Sequence, residues 1–170
     1  MSEVWDLYTI GREKTGETHI RGNKLPVNTY HIVVEIWTIV GNRILLTQRH
    51  PDKPFGLLWE CTGGSILTNE NSVEGAVREV KEEIGLHVEG SDLIFIKSYS
   101  NEDSLYDVFV NYQDVNCMNR IKLQPEEVIN VQLVTHNEFK NLLNTNKVIK
   151  KLEYVNELIE CGKIRLQIAS

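Results

Sequence analysis

Hydrophobic residues along the chain form short runs typical of strands, around one stretch with helical periodicity. The run from Tyr30 to Val40 is apolar on both alternating sets of positions, as expected of a strand that is buried on both faces of a sheet. Gly41-Asn42 then predicts a tight hairpin turn into a second strand at 43–48. A short strand at 58–62 is predicted to lead directly into Gly63-Gly64.

The rest of the pattern predicts a single α/β domain over residues 1–170. Further strands are predicted at 4–10, 93–98, 105–112 and 127–134, and closing helices at 136–143 and 148–160. Residues 1–28 are predicted to form an N-terminal hairpin or extension packed on the domain, and no chemistry is assigned to them. Strands around one long helix, followed by closing helices, indicate a central mixed β-sheet between helical layers.

The helical stretch begins after Glu70 and ends at Gly85. Asn71 or Ser72 is predicted as its N-cap, and Gly85 is predicted to end it because glycine adopts the left-handed conformation without steric cost. Its buried stripe follows the spacing of one helix face and consists of Val73, Ala76, Val77, Val80 and Ile84.

Three glutamates of this helix, Glu79, Glu82 and Glu83, are spaced at i, i+3 and i+4 and therefore share one side. Arg78 and Lys81 are predicted to lie towards the opposite flank of the apolar stripe. Three like charges within two turns repel one another, and a divalent cation shared with a phosphorylated ligand would offset that repulsion. Mg²⁺ suits this role because it prefers oxygen ligands and commonly binds together with substrate phosphates.

The same stretch resembles the Nudix box, G-x5-E-x7-R-E-U-x-E-E-x-G-U, where U is a bulky aliphatic residue. The pattern is filled without departure by Gly64, Glu70, Arg78, Glu79, Val80, Glu82, Glu83, Gly85 and Leu86. On this motif, which spans the loop and helix at 64–86, the chain is identified as a member of the Nudix hydrolase superfamily. The resemblance covers roughly residues 29–145 and implies a Nudix-type α/β/α sandwich.

The resemblance implies a reaction and a set of site residues. The reaction is the Mg²⁺-dependent hydrolysis of a diphosphate linkage in a nucleoside diphosphate joined to another group, with Mn²⁺ as a substitute metal. Glu79, Glu82 and Glu83 are expected to hold the metal, one of them as a candidate base, and the carbonyl of Gly64 is expected to complete the coordination sphere. Metal ions would offset the charge of the diphosphate and activate the attacking water.

Supporting roles are expected for residues around the box. Arg78 and Glu70 are expected to pair and brace the loop before the helix. Arg49 either binds a substrate phosphate or forms a surface ion pair. Glu126 and Glu127 are candidates for an additional catalytic acid, or are solvated loop charges. The aromatic residues that either stack on a base or fill the core are Tyr30, Trp37, Phe55 and Trp59.

Composition narrows the class of partner. The net charge of the 170 residues is −6, and no basic tract favours bulk nucleic acid, so a small phosphorylated substrate is expected. No apolar run has the length of a membrane span. Three widely spaced cysteines without a CxxC pair indicate free thiols and a cytoplasmic protein. An apolar strand near the N-terminus suits a homodimer.

Two alternatives to the hydrolase stay open. The front half also resembles the isopentenyl-diphosphate isomerase branch of the superfamily, which would use a cysteine and histidine metal ligands. Only His31 matches that set, because Gly63 stands at the cysteine position and Ser65 at a histidine position. The second alternative is a nucleotide-sensing Nudix domain without turnover, although such domains usually carry a damaged box.

Overall fold

Strands form most of the secondary structure, which a computed structural model describes for residues 3–166. The strands are β1 (Val4–Tyr8), β2 (Lys14–Ile20), β3 (His31–Val40), β4 (Arg43–Arg49), β5 (Trp59–Glu60), β6 (Thr62–Ser65), β7 (Ile94–Asn101), β8 (Ser104–Gln113) and β9 (Val128–Val134). The α-helices are α1 (Ser72–Ile84), α2 (His136–Asn144) and α3 (Val155–Glu160). Short 3₁₀ helices lie at Gly90–Asp92, Val115–Arg120 and Lys150–Tyr154. The ends of the predicted domain, residues 1–2 and 167–170, lie outside this described part.

The central sheet is mixed, as predicted. Its main path runs β5-β4-β3-β8-β7, with β6 paired to β3 and β9 paired to β4. β3 and β8 are parallel over their full length, whereas the other pairs of this sheet are antiparallel. Because β3 has neighbours along both edges and helices over both faces, its uninterrupted apolar sequence is explained.

Helices cover both faces of the sheet, so the fold is the predicted α/β/α sandwich. On one face, Ile32 and Val34 of β3 share a core with Ala76 and Val80 of α1. On the other face, a second core joins the alternate β3 residues to the two C-terminal helices. That core includes Trp37, Ile39, Phe139, Leu143, Val155 and Leu158. Within residues 3–166, no helix combines the length and apolarity needed to cross a membrane.

Helix α1 begins and ends where the sequence predicts. Of the two candidate caps, Asn71 is the N-cap: its side chain accepts the backbone N–H groups of Val73 and Glu74. Glu74 in turn accepts the N–H of Asn71, which completes a capping box. Gly85 ends the helix with a left-handed backbone at φ +71°.

Two predicted elements differ from the structure. The single strand predicted at 58–62 is divided into β5, which pairs with β4, and β6, which pairs with β3. Gly63 and Gly64 consequently lie within β6 instead of following a strand. The helix predicted at 148–160 is a 3₁₀ helix over Lys150–Tyr154 and becomes α-helical only at Val155. Residues 147–149 before it are extended, because the N–H of Trp59 donates to the carbonyl of Lys147 and the carbonyl of Trp59 accepts the N–H of Ile149.

Residues 4–20 form an antiparallel hairpin of β1 and β2 that packs on the domain. The backbones of Tyr8 and Tyr30 exchange hydrogen bonds of 2.8 and 2.9 Å, which join the hairpin to the residue before β3. The ring of Trp5 stacks on His31 at a centroid distance of 4.3 Å.

Candidate functional site

A cavity of about 200 Å³ lies where α1 faces β3 and β6. The acidic side chains that line it are Glu3, Glu35, Glu60, Glu79, Glu82, Glu83 and Glu127. The basic side chains are Arg21, Arg49, Lys53 and Lys151. The cavity therefore collects more negative than positive charge, and all three glutamates singled out in α1 are among its lining residues.

Glu83 is the most deeply buried of the three α1 glutamates, with 6% of its surface exposed. Its carboxylate accepts the backbone N–H of Gly63 at 3.3 Å. Burial, together with the nearby charges of Glu60 and Glu79, raises the pKa of Glu83 well above its ordinary value. A divalent cation at this carboxylate would remove the electrostatic penalty of its ionised form.

Glu79 and Glu82 differ in their exposure. The Glu79 side chain is 12% exposed, and burial raises its pKa despite an ion pair of 2.8 Å with Arg78. The Glu82 side chain is half exposed and lies 3.0 Å from the same guanidinium. Gly64 packs directly against the Glu79 carboxylate, and a Cβ built on Gly64 would overlap it. The glycine thus brings main chain to the carboxylate, as a backbone metal ligand requires.

Arg78 lies on the carboxylate side of α1, so the predicted placement on the opposite flank is wrong. Its long side chain reaches Glu70, where Nε and Nη2 donate to the two carboxylate oxygens at 2.7 and 2.9 Å. Nη2 also donates to the carbonyl of Ser65 at 3.0 Å. Although burial disfavours the charge, these partners raise the pKa of Arg78 and keep it cationic. The guanidinium therefore connects the loop, β6 and the metal-ligand candidates.

The residues present fit a hard divalent cation in chemistry. Within residues 3–166, no three Asp, Glu, His or Cys side chains are already gathered into a ligand set. The reason is visible in the ion pairs, since Arg78 holds both Glu79 and Glu82. The candidate donors are oxygens, which Mg²⁺ and Mn²⁺ accept. The closeness of Gly64 to the Glu79 carboxylate shows that main chain and side chain can converge on one ion.

The supporting candidates lie in different places. Arg49 lines the cavity and is engaged by Glu60, with an Nη1 to Oε1 distance of 2.7 Å; this ion pair is largely buried, unlike the surface pair expected as one option. Glu127 lines the cavity and pairs with Lys53. Glu126 is exposed and is not among the lining residues of this cavity.

Several cavity residues were missed by reasoning from the sequence. Glu35 of β3 is 4% exposed and accepts hydrogen bonds from the hydroxyls of Tyr99 and Tyr154. It also pairs with Lys151 at 2.8 Å. A lone carboxylate inside an otherwise apolar strand was the available sign that Glu35 faces a polar site. The sequence offered no comparable sign for Lys151, because its approach depends on the C-terminal 3₁₀ helix.

His31 and Cys61, the residues nearest to an isomerase set, make other contacts. His31 is buried between the hydroxyls of Ser65 and Ser104, at 3.1 and 2.9 Å, and burial lowers its pKa to about 4. Cys61 is buried, and burial raises the pKa of its thiol. A buried thiol two residues before Gly63, with His31 satisfied by two hydroxyls, does not form the cysteine and histidine set of the isomerase branch.

A second cavity of about 400 Å³ adjoins the first and shares Arg49, Glu60 and Lys151 with it. Phe55 and Tyr106 also line it. The Phe55 side chain is largely exposed and stands in a loop with positive φ, whereas Tyr106 is nearly buried under the Lys151 ammonium. Phe55 therefore offers an exposed ring beside the charged cavity, which suits a planar group attached to an anionic one, whereas the Tyr106 ring is covered by Tyr99 and Lys151.

Comparison with known sequences assigns the chain to a family. Residues 29–154 match the family model described as the NUDIX domain. A Nudix hydrolase of Listeria monocytogenes is 33% identical over 159 residues, covering 92% of this chain and 93% of the relative.

Solved structures share the fold. A crystal structure of a Deinococcus radiodurans protein aligns over 94% of this chain and 98% of its own, with a TM-score of 0.73 and 18% identity. A bifunctional NMN adenylyltransferase/ADP ribose pyrophosphatase of Francisella tularensis, complexed with AMP and a Mn ion, aligns over 77% of this chain and 41% of its own. Its TM-score is 0.64 at 18% identity.

Proposed function

The chain belongs to the Nudix hydrolase family, and on that premise we propose that it hydrolyses a diphosphate linkage in a nucleoside diphosphate joined to another group, using Mg²⁺. One observation carries the proposal. Glu79, Glu82 and Glu83 line one cavity together with Gly64, although the three side chains differ greatly in burial. An acidic helix face without a function would be expected to turn its carboxylates to solvent.

Glu79, Glu82, Glu83 and the Gly64 carbonyl would hold the cation. When bound, the cation offsets the charge of the diphosphate and acidifies the attacking water. Glu79 is the candidate proton acceptor as well as a ligand, because its carboxylate lies against the main chain of Gly64 in the cavity. Glu82 lines the cavity, and its half-exposed ion pair with Arg78 can be exchanged for a cation.

Cations at the rim would orient the diphosphate. Arg49 and Lys53 line the cavity from the strand β4 and the loop that follows it, and Lys151 lines it from the C-terminal side. The adjoining second cavity, with the exposed ring of Phe55, would hold the planar part of the substrate. The presence of AMP and a Mn ion in the Francisella structure supports a nucleotide-like substrate and a divalent metal.

A substrate panel tests this function. Purified protein is incubated with nucleoside triphosphates, dinucleoside polyphosphates, nucleotide sugars, ADP-ribose and CoA, each with Mg²⁺, with Mn²⁺ or with excess chelator. The proposal expects phosphate-containing products from at least one compound, and only when the metal is present. Tight binding without product from any compound would favour the sensor, and conversion of isopentenyl to dimethylallyl diphosphate would favour the isomerase.

A further inference from the structure

The N-terminal hairpin lies outside residues 29–154 of the family match, yet it reaches the acidic cavity. We propose that this hairpin is part of the active site and that Arg21 binds the phosphates of the substrate. This inference rests on the proposed function. Glu3 and Arg21, at the two ends of the hairpin, line the same cavity as Glu79, Glu82 and Glu83.

Glu3 and Arg21 are held together at the open end of the hairpin. The backbone N–H of Arg21 donates to the carbonyl of Glu3 at 2.9 Å, and Arg21 Nη1 lies 2.6 Å from Glu3 Oε1. The main-chain bond continues the pairing of β1 with β2 by one residue. The Arg21 side chain therefore extends from a backbone position that is fixed by the pairing of β1 with β2.

The hairpin is anchored to the loop that precedes α1. The carbonyl of Val4 accepts both the N–H and the hydroxyl of Thr68, at 2.8 and 3.1 Å. The Asp6 carboxylate accepts the N–H of Asn69 at 3.0 Å, at a residue with φ +69°. These bonds link β1 to the box loop itself, so the hairpin and the metal-ligand candidates keep a defined relative position.

Arg21 is also the cavity cation that can change partners most easily. The ion pairs of Arg49 with Glu60 and of Lys53 with Glu127 have side chains no more than 28% exposed. Lys151 is held by the buried carboxylate of Glu35, whose side chain is 5% exposed. Removing one partner from such a pair leaves a poorly solvated charge.

The pair of Arg21 and Glu3 is different, because its side chains are 47% and 39% exposed. Exposed ion pairs contribute little to stability, so exchanging Glu3 for a phosphate costs little. The planar guanidinium can donate two parallel hydrogen bonds to a phosphate, which a surface carboxylate only partly replaces. Arg21 thus combines a fixed backbone with an available charge at the mouth of the cavity.

The test measures binding of imidodiphosphate, a pyrophosphate analogue whose bridging nitrogen resists hydrolysis, by calorimetry in the presence of Mg²⁺. Arg21→Gln is expected to weaken binding about fivefold to tenfold, from the loss of one charge-assisted contact. Arg21→Lys is expected to fall between that variant and the unaltered protein. Glu3→Gln is expected to leave binding unchanged or to tighten it, because it frees Arg21 and removes a negative charge. Arg43→Gln, an exposed control at the start of β4, is expected to bind normally.

A purely tethering role of Arg21 predicts that Arg21→Gln and Glu3→Gln behave alike. If Arg21 only closed the hairpin, Arg21→Gln and Glu3→Gln would weaken binding equally and lower the melting temperature together. That result, or normal binding by Arg21→Gln, would overturn the proposal. Failure of the unaltered protein to bind imidodiphosphate would overturn it too. Absence of any product in the substrate panel would instead refute the hydrolase function, which the binding experiment does not measure.

Discussion

Arg78 and Glu70 form a two-pronged ion pair in which Nε and Nη2 of the guanidinium donate to separate carboxylate oxygens at 2.7 and 2.9 Å. The Glu70 carboxylate also accepts the N–H of Leu67, and the ion pair and hydrogen bonds keep the pKa of Glu70 low although burial opposes this. The expected brace between loop and helix is therefore present in the structure. Its position explains how the box loop and α1 act as one unit.

We expect Arg78→Lys to impair both the loop and the metal site. An ammonium cannot reproduce the fork to Glu70 while also reaching Glu79 and Glu82. The variant is predicted to lose at least about tenfold in kcat and about 1 to 3 kcal/mol of unfolding free energy. Steady-state kinetics and urea unfolding measure the two effects, with Arg43→Lys as the surface control. Unaltered kinetics in Arg78→Lys would show that Arg78 does not brace the loop and the metal site.

Glu83→Gln is predicted to stabilise the metal-free protein while abolishing turnover. Burial raises the pKa of Glu83, so the folded state disfavours its ionised form, whereas the unfolded state carries the charge freely at pH 7. The amide removes that cost and can still accept the N–H of Gly63. The gain is expected to be about 1 kcal/mol, measured by urea unfolding in chelator.

Added Mg²⁺ provides the control for this variant. The unaltered protein should gain stability with increasing Mg²⁺, because the cation binds only the folded state. Glu83→Gln should gain little. A loss of stability in chelator on substituting Glu83 would show that its burial is favourable without metal, contrary to this account.

His31 predicts a pH dependence of stability. Its folded pKa of about 4 lies below its ordinary 6.5, so the unfolded state binds more protons between these values. This stability is present above pH 6.5 and is lost as the pH falls through 4, by up to about 3 kcal/mol. Urea unfolding from pH 7.5 to 4 should show a smaller decline for His31→Gln than for the unaltered protein. The matched variant of exposed His87, His87→Gln, should retain the full decline.

The two neighbouring glycines of β6 are predicted to respond differently to alanine. A Cβ on Gly63 would overlap the backbone carbonyl of Val34, which cannot move without disturbing β3, so Gly63→Ala should cost about 1 to 3 kcal/mol. The atoms nearest to a Cβ on Gly64 belong to the Glu79 carboxylate, the end of a side chain that can rotate away, unlike backbone. Gly64→Ala should therefore keep its melting temperature but lose turnover. Equal destabilisation by both would contradict this reading of the site.

The sequence was most informative where local chemistry decides the structure. The caps at Asn71 and Gly85 and the apolar stripe between them placed α1 correctly, because capping and burial act within a few residues. The division between β5 and β6 was missed, since it depends on tertiary pairing: β5 pairs with β4, whereas β6 pairs with β3.

The contacts made by long side chains also could not be predicted from the sequence. The position of Arg78 around the helix axis suggested the wrong flank, because its flexible side chain follows Glu70 and Ser65 rather than the direction of its Cβ. The contribution of Glu3 and Arg21 was missed for a similar reason: docking of the hairpin depends on Thr68 and Asn69, and no motif records it.

The most direct test of the central claim compares the unaltered protein with Glu82→Gln on whichever compound of the panel is hydrolysed. Glu82 is half exposed, so the substitution should leave folding intact, and Glu157→Gln, at an exposed position of α3, is the matched control. The account predicts that Glu82→Gln loses at least about a hundredfold in kcat with Mg²⁺ present, at an unchanged melting temperature, while Glu157→Gln keeps full activity. Full turnover by Glu82→Gln, or by the unaltered protein in excess chelator, would contradict it.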